Sequence, residues 1–131
     1  MTDKELLELA AKAAGLPVGS DQGEYQYRDG GTWVAGLYAT DNGYPLFWNS
    51  LIDDRDALRL AVRADIEVFQ GDNCDRPAAF AGYFKPASLM GRRYCIEYHG
   101  DHHCDQVAAT RRAITRAAAE IGARITTEDG K

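Results

Sequence analysis

The sequence predicts an α+β fold, a small antiparallel-rich sheet sandwiched by about three helices in α/β/α layers. Stretches near residues 3–14, 54–64 and 106–122 repeat apolar residues at helical spacing behind polar starts. Between the first two lie short aromatic segments broken at Asp29-Gly30-Gly31 and Asp41-Asn42-Gly43, the turn chemistry of hairpins. Between the last two lie segments such as Ile66-Glu67-Val68-Phe69, whose alternation marks strands with one buried face.

Thr2-Asp3-Lys4-Glu5 forms a capping box, with Thr2 and Glu5 satisfying each other's backbone donors. Leu6, Leu9, Ala10, Ala13 and Ala14 follow at helical spacing, and Gly15 and Pro17 end the helix. Tyr25 and Tyr27 begin a strand that turns at Asp29 into Thr32–Tyr38, and the second turn leads to Tyr44–Trp48. Phe47–Val62 organises the chain: it brings two aromatics to the core, turns through Asn49-Ser50, and caps a helix with Asp53 or Asp54. In that helix Leu58, Ala61 and Val62 line one face, and Arg55, Arg59 and Arg63 occupy another. Gly71–Pro77 reads as a loop before strands at Ala79–Phe84 and Arg93–Tyr98. In the latter, Tyr94, Ile96 and Tyr98 point one way, and Cys95, Glu97 and His99 the other. Asp105 caps the last helix, whose stripe is Val107, Ile114, Ala118 and Ile121 and whose stop is Gly122. Residues 1–122 thus form one domain, and residues 123–131 a polar, frayed tail. Phe47, Trp48, Leu58, Val62, Ile66, Val68, Ile96, Ile114 and Ile121 are the expected core.

The formal charge of −5 is unevenly placed: residues 1–54 carry nine acids against three bases, residues 55–131 eleven against twelve. An acidic chain does not favour nucleic acid, whose binding is driven by phosphate neutralisation. Met1-Thr2-Asp3-Lys4-Glu5 opens a charged helix rather than a basic and then apolar leader, and no apolar run nears the roughly 20 residues of a membrane helix. Three cysteines, an odd number, suit reduced thiols. A cytoplasmic protein without a membrane span is expected.

Three segments carry a resemblance: Glu5–Gly15, Phe47–Val62 and Ala108–Gly122. In this order they resemble small bacteriophage-encoded proteins of the phage ABA sandwich type, which share a Gly-ended first helix, an aromatic-Asn/Ser-Asp turn and an Ala-rich last helix. The resemblance covers about a third of the chain. It implies α/β/α layering and a phage or prophage origin, and it supplies no catalytic residue.

The densest cluster of reactive side chains is Cys95, His99, His102, His103, Cys104 and Asp105. Cysteine and histidine are preferred zinc ligands. In an extended strand Cys95 and His99 stand about 13 Å apart at about 3.3 Å per residue, too far for one ion. A zinc site would therefore draw on His99, on His102 or His103, and on Cys104, with Cys74 as a fourth ligand from another loop. Asp101-His102-His103-Cys104 also spells the signature of the DHHC acyltransferases, but no membrane span or cysteine-rich domain accompanies it within these 131 residues. Arg111, Arg112 and Arg116 form a basic patch on the last helix, suited to phosphate or to neighbouring carboxylates.

The leading expectation is a non-enzymatic phage accessory protein that binds a host protein stoichiometrically, as counter-defence factors of the anti-CRISPR kind do, without a cofactor. Its surface is expected at Tyr25, Tyr27, Trp33, Tyr38 and Tyr44 with Asp29 and Asp41, because alternate aromatics of a meander face outwards. A homodimer would use the same patch. The alternatives are a small metal-dependent enzyme built on the His99–Cys104 loop and a nucleic-acid-binding regulator using the last helix.

Overall fold

The computed structural model describes residues 3–15, 24–29, 32–41, 44–85 and 91–130. Helix α1 (Asp3–Ala13) is followed by β1 (Glu24–Asp29), β2 (Thr32–Asp41) and β3 (Tyr44–Trp48), then by α2 (Asp54–Arg63). Strands β4 (Glu67–Asn73), β5 (Arg76–Phe84) and β6 (Arg92–Tyr98) come next. A 3₁₀ turn (His99–His102) and α3 (Gln106–Gly130) complete the order. The class is the expected α+β, with every strand pair antiparallel. The strands divide into two three-stranded sheets, β1-β2-β3 and β4-β5-β6. Helix α3 lies along β5 and β6, and α1 and α2 pack on α3. The helical layer is therefore centred on α3.

That position explains the alanines of α3. Ala109, Ala113, Ala117, Ala118 and Ala119 are all buried, because the helix meets a sheet, α1 and α2 on different sides. Small side chains let neighbouring axes approach closely. The approach is tightest at Gly122, where an added Cβ would lie 1.9 Å from the Leu9 carbonyl oxygen. Gly122 is thus a packing residue and not the expected stop. Helix α3 continues to Gly130, so the segment after 122, expected to fray, is helical.

Helix α1 ends as expected, with Gly15 in the left-handed region at φ +73°. Its expected cap, Thr2, and the turn residues Gly30, Gly31, Asn42 and Gly43 lie outside the described residues. Helix α2 begins with Asp53, whose carboxylate accepts from Asp56 N–H at 3.0 Å. It ends in a Schellman motif: Ile66 N–H bonds to Ala61 C=O at 2.8 Å and Asp65 N–H to Val62 C=O at 3.3 Å. Asp65 takes the left-handed position at φ 57° that glycine usually fills.

The buried face of α2 corrects the sequence reading. Ala57, Leu60 and Ala61 are buried, whereas Leu58 and Val62, expected in the core, are exposed. The helix carries two apolar stripes, and periodicity alone ranks them equally. The choice falls to the turn before it, where the buried Asp56 carboxylate accepts from Asn49 N–H at 2.9 Å and so rolls Leu60 inward. Trp48, Ile66 and Ile114 are buried as expected, Ile96 and Ile121 are half-buried, and Val68 is exposed on β4. The side chain of Phe47 lies outside the described part.

The expected Gly71–Pro77 loop is largely strand. Asn73 pairs with Arg76, leaving Cys74 and Asp75 as a two-residue hairpin turn. Both have positive φ, 54° and 65°, as a type I′ turn requires. With no glycine at its two central positions, so tight a turn could not be told from the longer loop expected there.

Candidate functional site

The face of β4-β5-β6 towards α3 alternates small and polar residues. Ala79 and Ala81 sit at the centre on β5, flanked in register by Gln70 and Val68 on β4 and by Glu97 and Cys95 on β6. The alanines let α3 settle close, and longer side chains at the sides reach it. Glu120 of α3 accepts from Tyr83 Oη at 2.7 Å, from Arg93 Nε at 2.8 Å and from Cys95 Sγ at 3.5 Å. Burial opposes ionisation of Glu120, but the bonds from Arg93 and Tyr83 outweigh it and hold the carboxyl below its ordinary range. Burial first, then the neighbouring Glu120 charge, pushes the Cys95 thiol up to about 12. Burial and the bond to Glu120 likewise push Tyr83 up to about 12. A thiol so far from its thiolate is a poor nucleophile.

The three arginines of the expected basic patch are ties between elements. Arg111 donates through Nε to Leu51 C=O at 2.9 Å and through Nη1 to Asp54 at 2.6 Å. Arg112 reaches Asp3 of α1 at 3.2 Å. Arg116 pairs with Glu97 of β6 and donates to Ile96 C=O at 3.2 Å. One helix thereby binds α2, α1 and the sheet.

The His/Cys loop is not assembled as a metal centre. His99 is buried and bonds through Nε2 to Gln70 Oε1 at 2.8 Å, while His102 bonds through Nε2 to Glu97 at 2.8 Å. His103 and Cys104 are exposed, and both hold the left-handed conformation that joins the 3₁₀ turn to Asp105. Cys74 is exposed at its hairpin tip. Among the described residues no three His, Cys, Asp or Glu side chains gather where one ion would sit. The expected ligands His99, His102, His103 and Cys104 are spent on separate partners or face solvent. Asp105 caps α3 as expected, accepting from Val107 and Ala108 N–H at 3.0 and 3.1 Å.

Of the expected aromatic surface, the backbone is described and the side chains are not. Tyr25, Tyr27 and Asp29 lie on β1, Trp33, Tyr38 and Asp41 on β2, and Tyr44 on β3. The register puts positions 25, 27 and 38 on one face of that sheet and 33, 44 and 48 on the other. Trp48, on the second face, is buried.

Among the described residues, one concave feature was not foreseen. Helix α2, the first half of α3 and β4 enclose a groove of about 340 Å³ lined chiefly by Ala57, Leu58, Ala61, Val68, Val107 and Ile114. Leu58 is 65% exposed and Val107 49%. Polar groups at the groove form a chain: His99 donates to Gln70, Gln70 Nε2 to Thr110 Oγ1 at 2.8 Å, and Thr110 to Gln106 C=O at 2.7 Å. Arg111, held by Leu51 and Asp54, adjoins it. A pocket of this size, apolar with a few fixed polar groups, is typical of recognition sites. Its signal was present as Leu58 and Val68, both expected in the core, and as Val107 on the apolar stripe of the last helix.

With this geometry established, comparison with protein-family models, curated proteins and solved structures finds no match. No described helix is long and apolar enough to cross a membrane.

Proposed function

We propose that the protein is a non-enzymatic binding module that acts stoichiometrically on a partner protein, in the setting of a phage or prophage accessory factor directed at its host. The observation that carries the reading is the exposure of Leu58, Val62 and Val107 on well-anchored helices. Apolar side chains held out by a rigid scaffold are the usual anchors of a protein interface. The ionisable side chains of the sheet–α3 seam, by contrast, serve internal bonds: Glu120, Glu97, Arg93 and Arg116 each have partners within the chain. The phage setting and counter-defence role rest on the three segments that resemble phage ABA sandwich proteins.

The test is affinity capture from host lysate followed by titration of the purified pair. Saturation near one partner per chain is expected, with His102→Ala/His103→Ala binding as the parent does. Absence of any saturable complex, or a catalytic effect at substoichiometric amounts that the histidine pair abolishes, would overturn the reading and transfer the function to the loop.

A further inference from the structure

We infer that the outer face of the β4-β5-β6 sheet is a self-association surface, on which a second copy of the chain packs sheet to sheet about a two-fold axis along β5. The inference goes beyond the partner-protein reading, whose apolar anchors lie on α2 and α3. It also moves dimerisation from the first sheet, where the aromatic meander suggested it, to the second. Alternation gives the second sheet two unlike faces. The face carrying Gln70, Tyr83, Cys95 and Glu97 bonds to α3. The other face centres on a row in register, Phe69-Phe80-Ile96. Phe69 stacks on Phe80 with ring centroids 4.8 Å apart and meets the Tyr94 ring edge-on at 5.8 Å. These rings are open to solvent: Phe69 is 41% exposed, Tyr94 38% and, further along β5, Phe84 58%. An aromatic patch on a rigid sheet gains by burial against a partner.

The charge pattern of the face itself selects the second copy. Its charged strand residues are Glu67, Arg76 and Arg92. Arg92 is held by Glu67 at 3.2 Å and Arg76 by Asp101 at 3.3 Å, so no net charge favours an acidic or a basic partner. A nucleic-acid strand stacked on the rings would need cations free for its phosphates, and both arginines are held by carboxylates. The Arg92–Glu67 pair spans β5, with Glu67 on β4 and Arg92 on β6. A two-fold axis along β5 reverses that pair, setting Glu67 of each copy against Arg92 of the other. The same axis sets Phe80 against Phe80 and Phe69 against Ile96. Arg76 leans off the axis over the Tyr98 ring, 3.8 Å from its centre, so the two copies of this side chain diverge.

Sheets packed face to face lie about 10 Å apart with interdigitating side chains, at about 30° to each other. Three strands of this length offer a footprint of about 14 by 24 Å. That is smaller than the roughly 800 Å² per partner of a standard interface, so the dimer is a weak, concentration-dependent one. A dissociation constant of about 0.1 mM is expected.

The test is sedimentation of the full chain between about 10 µM and about 1 mM, where the parent should pass from monomer to dimer. Glu67→Arg alone and Arg92→Glu alone each set like charges across the axis and should weaken the dimer by about tenfold or more. Mixed in equal amounts, the two single variants should associate again, because a copy with two arginines then faces a copy with two glutamates. No effect confined to one chain produces that rescue. Phe84→Asp, at an exposed position, is a second disruption, and circular dichroism like the parent's checks that each variant is folded. A parent that stays monomeric at about 1 mM overturns the inference, whatever else the face then binds. A dimer indifferent to both charge variants, or single variants whose mixture stays monomeric, overturns the axis along β5. A dimer lost instead in Tyr25→Ser/Tyr27→Ser overturns the inference in favour of the first sheet.

Discussion

Ser50 Oγ lies 2.8 Å from Thr115 Oγ1, joining two fully buried hydroxyls 65 residues apart. Thr115 donates its only proton to Arg111 C=O at 2.8 Å, so Ser50 is the donor between them. The bond fastens the turn before α2 to the middle of α3. With Arg111 on Leu51 C=O, it fixes where α2 starts and hence which stripe it buries.

Thr115→Val keeps the volume and removes the acceptor, leaving the Ser50 hydroxyl buried without a partner. A loss of about 1–3 kcal/mol is expected. Ser50→Ala leaves Thr115 bonded to Arg111 and should cost less. The double variant should fall short of the sum of the two, since it leaves no orphaned hydroxyl. Urea unfolding of the four proteins measures the coupling, and simple additivity would show that the pair is not a unit.

Gly122→Ala separates two opposing effects. Helix propensity favours alanine by about 1 kcal/mol. The new methyl, however, would meet the Leu9 carbonyl at 1.9 Å, and backbone must move to admit it. Overpacking costs about 1–3 kcal/mol, so net destabilisation is expected. A raised midpoint in thermal unfolding would show that α1 and α3 are not in such close contact. Gly15→Ala is a useful contrast, because there the cost comes from φ +73°, and none of the described residues lies within 4 Å of the added methyl.

Glu120 predicts the acid limb of the stability profile. Its folded carboxyl titrates below the ordinary 4.5, so the unfolded chain binds the proton more readily. The contribution of Glu120 is therefore present above about pH 4.5 and lost as pH falls through the lower folded value. Glu120→Gln should cost about 1–2 kcal/mol at neutral pH, a figure reduced for the half-exposed Arg93 partner. Parent and variant should converge on acidification. A stability difference independent of pH would assign the role of Glu120 to packing alone.

How far the sequence could be read depended on the range of the interaction involved. Capping at Asp53 and Asp105 and the stop at Gly15 were legible because a few neighbouring residues decide them. The hairpins of the first sheet and the alternation of Cys95 with Glu97 against Tyr94 and Ile96 were legible for the same reason. The candidate site was largely not legible. His99 and His102 looked like neighbours available to one metal, but each bonds to a strand residue, Gln70 or Glu97, that no spacing rule connects to it.

By itself the sequence determined that this chain would be a small α+β protein with helices at these three places, since capping and periodicity act over one or two turns. Tertiary structure alone decided that Leu58 faces solvent while Leu60 is buried, and that Gly122 admits α1 instead of ending α3. Those outcomes turn on contacts between distant parts of the chain, such as Ser50 with Thr115 and Leu9 with Gly122. A helix with two apolar stripes offers either to the core, and the packing of its neighbours makes the choice.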